Sequence, residues 1–249
     1  MSVRLGRVVI LVEDHDEALR FYTEVLGCRL LFDGAKGGRR YVHVAFGDDE
    51  AGAWLLRPES AAGARRVGAQ TGGEPVAVVY TDGLDETLSR WRAAGARVSQ
   101  EPQGDPDGAR FAHVLDLYGN ELVLVELPPV PRPARVGTAF VPVSDPATAA
   151  GWYAAAFGLT VRTSTAWSAL LDGPAGSASL TLMGPASGIR AEPGLPFATH
   201  NLVVDDVDAA RDRLVAAGLT PSGVDGDPAV CRFFTTTDPD GNVLLVCDR

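Results

Sequence analysis

RVVILVEDHDEALRFYTEVLG, residues 7–27, is the stretch whose reading decides the fold. Its opening run alternates along RVVILVE and is rich in β-branched residues, the pattern of a strand. A helix begins near Asp14, with Ala18, Phe21, Tyr22 and Val25 forming an apolar stripe on one face. Gly27 is placed to end that helix in a left-handed conformation. Strand-like runs at 29–32, 40–46 and 53–56 follow, so the stretch heads a βαβββ unit.

The same signature returns further along. Asp14, Phe21-Tyr22 and Gly27 recur as Asp145, Trp152-Tyr153 and Gly158, each 131 positions later. LDETLSRWRAAG (84–95) answers VDAARDRLVAAG (207–218), and DLYGN (116–120) answers DPDGN (238–242). The order of elements then repeats four times, in modules at about 7–57, 75–126, 136–183 and 199–247. Stretches 58–74 and 184–196, rich in Gly, Ala and Pro, read as loops. DPDGN carries Pro and Gly where a type I turn favours them and closes the last hairpin. PPVPRP (128–133) can continue neither a ladder nor a helix and reads as a stiff linker. The expected domains are therefore 1–128 and 135–249, joined by a Pro-rich linker at 129–134.

A βαβββ module covers one sheet face with its helix and needs a partner for the rest of the sheet. The expected fold is α+β: four such modules paired into two domains, with curved mixed sheets enclosing clefts. Sequence leaves open whether module one closes on module two or on module four.

Composition narrows the function. The chain has 249 residues, 46% hydrophobic and 22% charged, a globular balance long enough for two domains. A formal net charge of -10, with Lys and Arg scattered, disfavours nucleic acid and anionic membrane surfaces. No run approaches the roughly 20 apolar residues of a membrane span, so a soluble cytoplasmic protein is expected, monomer or homodimer. Cys28, Cys231 and Cys247 have no zinc-like spacing, and their odd number argues against a disulfide framework. Cys231 and Cys247 lie about equally far from the DPDGN turn and can face each other across its hairpin.

Strands ending in VED or VDD before a helix, FY followed by LG, and the terminal DPDGN hairpin together resemble the vicinal oxygen chelate superfamily. That superfamily contains glyoxalase I, extradiol dioxygenases, and the fosfomycin and bleomycin resistance proteins. The resemblance covers nearly the whole chain. It implies a divalent metal held by His, Gln or Glu on the first and last strands of paired modules. Carried onto this sequence, the first-strand positions hold Arg7, Val76, Thr138 and Thr199. The last-strand positions hold Val123 and Leu245, with Leu55 and Thr181 in modules one and three. No pairing of modules restores a ligand set, so no cofactor is expected.

Other residues carry the candidate chemistry. His113 and Glu121 flank DLYGN almost symmetrically and should be cross-strand neighbours, serving either as a general acid and base or as an ion pair. Arg7 either binds an anionic group or reaches water. His200 either lines a cleft or packs beneath a helix with Leu202 and Val204. His15 and His43 read as surface or packing residues. Arg7, Tyr80, Phe140, Trp167, Thr181, Thr199 and Asn201 are the expected ligand-binding set, mostly apolar with a few neutral polar groups. Trp167 is either a stacking wall or a core residue, and Trp54, Trp91 and Trp152 are expected under or on helices.

The function expected from these residues is metal-independent binding of a small organic ligand, an antibiotic or a metabolite. The alternative is an enzyme of the same fold, an isomerase, cyclase, lyase or dioxygenase. Elemental analysis of the purified protein should find no stoichiometric Ni, Zn, Fe or Mn. A stoichiometric metal that is lost on replacing His200 or Glu121 would overturn the ligand assignment.

Overall fold

A computed structural model describes residues 3–47, 51–104, 109–126, 135–173 and 179–249. The Pro-rich linker expected at 129–134 lies outside them. Module one runs β1 (Val3–Leu11), α1 (His15–Arg20), β2 (Arg29–Lys36), β3 (Arg39–Ala45) and β4 (Gly52–Leu56), followed by a single helical turn α2 (Ala61–Ala64). Module two runs β5 (Ala77–Thr81), α3 (Leu84–Ala93), β6 (Arg97–Gly104), β7 (Arg110–Leu115) and β8 (Glu121–Glu126). Module three has β9 (Arg135–Pro142), α4 (Pro146–Phe157), β10 (Thr160–Ser164), β11 (Ser168–Asp172) and β12 (Ser179–Met183). Module four has β13 (His200–Val204), α5 (Val207–Ala216), β14 (Asp225–Asp227), β15 (Cys231–Thr237) and β16 (Val243–Cys247). The fourfold βαβββ order expected from the repeat is present.

Two eight-stranded sheets result, ordered β14-β15-β16-β13-β1-β4-β3-β2 and β10-β11-β12-β9-β5-β8-β7-β6. Module one thus shares a sheet with module four, and module two with module three. Both sheets are mixed. In βαβββ topology the helix carries the chain back over the sheet, so β5 pairs parallel with β8 and β13 parallel with β16, while the hairpins are antiparallel. Residue contacts divide the chain into two compact bodies, Val9–Thr138 and Met1–Val8 with Ala139–Arg249. β1 meets β13 antiparallel within the second body, Val3↔Val204 through Val8↔His200.

The helix starts follow capping chemistry. Asp14, Asp145 and Asp206 each accept a backbone N–H of the first turn, at 2.8, 2.7 and 3.0 Å. Module one differs from a plain helix at its end. Its last turn, Phe21–Val25, is π-helical, with Leu26 N–H donating to the Phe21 carbonyl at 3.1 Å. Gly27 then turns the chain at φ +72°, as its residue type required. The Leu26 carbonyl, unused by the helix, accepts the Trp91 indole N–H at 3.0 Å. Apolar helix residues meet the inward face of the strands. Leu84, Leu88 and Trp91 of α3 are buried, as are Ala112, Val114, Leu122 and Leu124 of β7 and β8.

The two DxxGN turns bury their Asp and Asn side chains in polar knots. Asp116 Oδ1 accepts the backbone N–H groups of Tyr118 and Asn120 at 2.9 and 2.8 Å. Asp116 Oδ2 accepts the Tyr22 hydroxyl at 3.1 Å and Asn120 Nδ2 at 2.8 Å. Asn120 Nδ2 also donates to the Leu11 carbonyl at 2.9 Å, and its Oδ1 accepts from Gly68 N–H at 3.1 Å. The second body repeats each link, with Tyr153 on Asp238 at 3.1 Å and Asn242 on the Pro142 carbonyl at 2.8 Å. Gly119 and Gly241 complete the turns at φ +95° and +82°, so no side-chain-bearing residue fits there without strain.

Burial raises the Asp116 and Asp238 carboxyls above the usual carboxylate range, partly offset by these same hydrogen bonds. Each tyrosine hydroxyl donates to a buried carboxyl, so its loss leaves part of the desolvation cost uncompensated. Tyr22→Phe and Tyr153→Phe are each expected to lower the unfolding free energy by about 1–3 kcal/mol. Urea unfolding measures this, and an unchanged midpoint in both variants would remove the knots from the structural account.

Candidate active site

Alternation along a strand sends one residue to the helix side and the next to the other face. On β7 and β8 the other face carries Phe111, His113, Glu121, Val123 and Val125, all half-buried. The register pairs Phe111 with Val125, His113 with Val123 and Leu115 with Glu121. His113 and Glu121 are thus diagonal neighbours rather than directly opposed. They meet all the same: His113 Nδ1 stands 3.0 Å from Glu121 Oε1. The side chains are each 19% exposed, shielded but open to a ligand.

Ser99 joins them, its hydroxyl donating to the same Glu121 Oε1 at 2.8 Å. Sequence reading missed Ser99 because β6 shifts register between Val98 and Gln100, and a bulge moves a side chain out of simple alternation. The ionised carboxylate only accepts hydrogen bonds, so the hydrogen of a neutral imidazole sits on Nδ1. Nε2 is left with its lone pair. A cavity of about 80 Å³, lined in part by Gln70, Thr71, Leu115, Asn120 and Glu121, adjoins the carboxylate residue. That is room for water, and Gln70 at its wall is itself held by Leu11 N–H and the Val9 carbonyl.

Tyr80 shares the row of Val125 and Phe111. Its ring lies across Gly137, where an added Cβ would come within 2.3 Å of Tyr80 Cε2. On module one an aromatic group occupies the half-buried face. Tyr41 stacks on Trp54 with ring centroids 5.9 Å apart, and His43 packs against both Phe32 and Trp54. Trp54 was expected beneath a helix; on β4 it takes the other face, because Leu55, not Trp54, has the inward position and is fully buried.

In the second body Arg7, Asn201 and Leu245 form one row across β1, β13 and β16. Asn201 is buried and already engaged: its Oδ1 accepts Arg7 N–H, and its Nδ2 donates to Cys247 Sγ at 3.0 Å. The Arg7 guanidinium donates to the Gly6 carbonyl at 2.7 Å. Thr181 and Phe140 are half-buried, with Thr181 opposite Leu170. Trp167 is 64% exposed in the bend that precedes β11, not on the strand and not in the core. Thr165 caps that bend by accepting Trp167 N–H at 3.1 Å, which turns the indole to solvent.

Thr199 is buried with its hydroxyl 3.1 Å from His200 Nδ1. His200 is 1% exposed, in register with buried Val8, and its Nε2 has no hydrogen-bond partner. Among the described residues no group of three or more His, Cys, Asp or Glu side chains is arranged to hold a metal ion. Apolar side chains at Val123 and Leu245 offer no donor, and His200 stands alone, so the residues present do not fit the metal that the resemblance implies.

The sequence model of the Glyoxalase/Bleomycin resistance protein/Dioxygenase superfamily matches residues 4–124 and again 135–246. The chain belongs to this superfamily. Glyoxalase I from Zea mays has a similar structure, with TM-score 0.75 and 19% identity over 99% of this chain and 92% of that one. A putative dioxygenase from Bacillus subtilis subsp. subtilis str. 168 is similar at TM-score 0.69 and 15% identity, over 99% and 85% of the chains. At such identities these similarities show the fold alone. No curated protein matches the sequence.

Burial pushes the His200 imidazole down from 6.5 to about 4. The unfolded chain therefore takes a proton on His200 that the folded chain refuses, so this contribution to stability is complete above pH 6.5 and is lost as pH falls toward 4. The loss across that window is on the order of 3 kcal/mol, at about 1.4 kcal/mol per pH unit. Unfolding free energies of the protein and of His200→Leu, measured between pH 4 and 7, should converge or cross in this window. Parallel profiles would show that His200 is not buried in its neutral form.

Proposed function

We propose that this superfamily member is an enzyme acting on a small organic substrate by proton transfer, of the isomerase or cyclase kind, with His113 as its acid and base and no metal in the step. The hydrogen-bonded series Ser99, Glu121 and His113 carries this reading. Glu121 holds the imidazole by Nδ1 and selects the tautomer whose Nε2 accepts a proton, and Ser99 holds the carboxylate in turn. Phe111, which packs 5.9 Å from the His113 ring, and Val123 give the same face an apolar surface for an organic substrate. The same imidazole returns the proton at a second atom of the substrate, which completes an isomerisation without loss of material.

The second reading is binding without turnover, an antibiotic or metabolite held on a face that is largely apolar and aromatic. Here the His113 and Glu121 contact would be only an ion pair of modest worth. Among the described residues no helix is long and apolar enough to cross a membrane.

Enolisable ketones and aldehydes incubated with the protein in D2O distinguish the two readings. Catalysed deuterium uptake at carbon should fall about 10²–10⁴-fold in His113→Gln, and in Glu121→Gln it should fall while ligand affinity, read by titration, is kept. Uptake equal in all three proteins, with saturable binding intact, would establish the binding reading.

A further inference from the structure

Cys231 and Cys247 are nucleophilic side chains that the proposed reaction leaves unused. The ladder of β15 and β16 sets Phe233 opposite Cys247, so Cys231 is the diagonal neighbour of Cys247 on the same face. Both sulfur atoms reach the Arg249 carbonyl oxygen, at 3.6 Å from Cys231 and 3.1 Å from Cys247.

Their surroundings differ in the way a reactive pair requires. Cys247 is 1% exposed, and its sulfur accepts the Asn201 amide at 3.0 Å. Cys231 is half-buried and open to a small reagent. A side-chain hydrogen bond from Cys247 holds the Cys231 thiol below its ordinary range, against burial and the Asp248 carboxylate and with the Arg249 guanidinium assisting. The same bond, then burial, pushes Cys247 up. Cys28, buried and without such a partner, is likewise pushed up.

We propose that Cys231 and Cys247 form a peroxide-responsive thiol pair in which Cys231 reacts first and Cys247 closes a disulfide with it. The Cys231 thiolate attacks one oxygen of a hydroperoxide and breaks the O–O bond. Sulfur is oxidised to a sulfenic acid, and the departing oxygen takes a proton and leaves as water or an alcohol. Cys247 then gives up its proton and attacks the Cys231 sulfur, forming the S–S bond and releasing the sulfenic oxygen as water. The hydroperoxide is the sole oxidant, reduced by the two electrons the thiols lose. Diagonal neighbours in a regular ladder have Cα atoms about 7–8 Å apart, slightly beyond the usual disulfide range of about 4.4–6.8 Å. Closure therefore draws the end of the β15–β16 ladder together.

The test uses the full chain with hydrogen peroxide at neutral pH, read by intact mass and peptide mapping. Loss of two hydrogens, with Cys231 linked to Cys247 and Cys28 unmodified, is the expected result. In the untreated protein iodoacetamide should alkylate Cys231 at least about tenfold faster than Cys28. Cys247→Ala should slow that alkylation several-fold, whereas Cys247→Ser, which still donates a hydrogen bond, should not. Alkylation of Cys231 no faster than in the urea-unfolded chain would overturn the proposal. So would oxidation of Cys231 to sulfinic acid with Cys247 left as a free thiol.

Discussion

A carboxyl group buried at a turn must have every lone pair satisfied, and this requirement organises each half of the molecule. Asp116 can be buried only because Tyr22, Asn120 and two backbone N–H groups converge on it. Those donors come from the first helix and from the closing turn of module two. Asn120 adds a bond to the Leu11 carbonyl, tying the end of β1 to the same point. The motif residues that repeat most visibly in the sequence are thus the residues that join two modules into one body. Asp238, Asn242, Tyr153 and Pro142 perform the same function in the second body.

This arrangement separates structural polar groups from available ones. Asp116, Asn120, Asn201 and Gln70 are polar, buried and already hydrogen-bonded within the protein. His113 and Glu121 differ because their strand parity places them on the face away from the helices. There Ser99 and the carboxylate constrain the imidazole through one nitrogen alone. Phe111, Leu115 and Val123 give the surface around them an aromatic and aliphatic share, which suits an organic molecule.

The chemistry at the superfamily's metal positions is also a matter of packing. Val123 stands opposite His113 and Leu245 opposite Asn201, so apolar side chains occupy the rows where oxygen or nitrogen donors would converge. His200 sits one residue away from such a row. The one-residue offset turns it to the opposite face, where burial favours its neutral form and its Nε2 meets no partner.

The four βαβββ modules, the helix starts at Asp14, Asp145 and Asp206, and the juxtaposition of His113 with Glu121 were legible in the sequence. Each depends on local periodicity, capping or hairpin symmetry, which a short stretch encodes completely. Membership of the superfamily was legible for the same reason, since its motifs are the turn and helix residues of one module. Tertiary structure alone decided that module one shares a sheet with module four, because strand edges join through backbone hydrogen bonds that leave no side-chain signature. It alone decided that Asn201 is already engaged, that Trp167 faces solvent and that Trp54 joins an aromatic group on β4. Ser99 came from a bulge, and bulges follow from long-range register rather than from the alternation that identifies a strand.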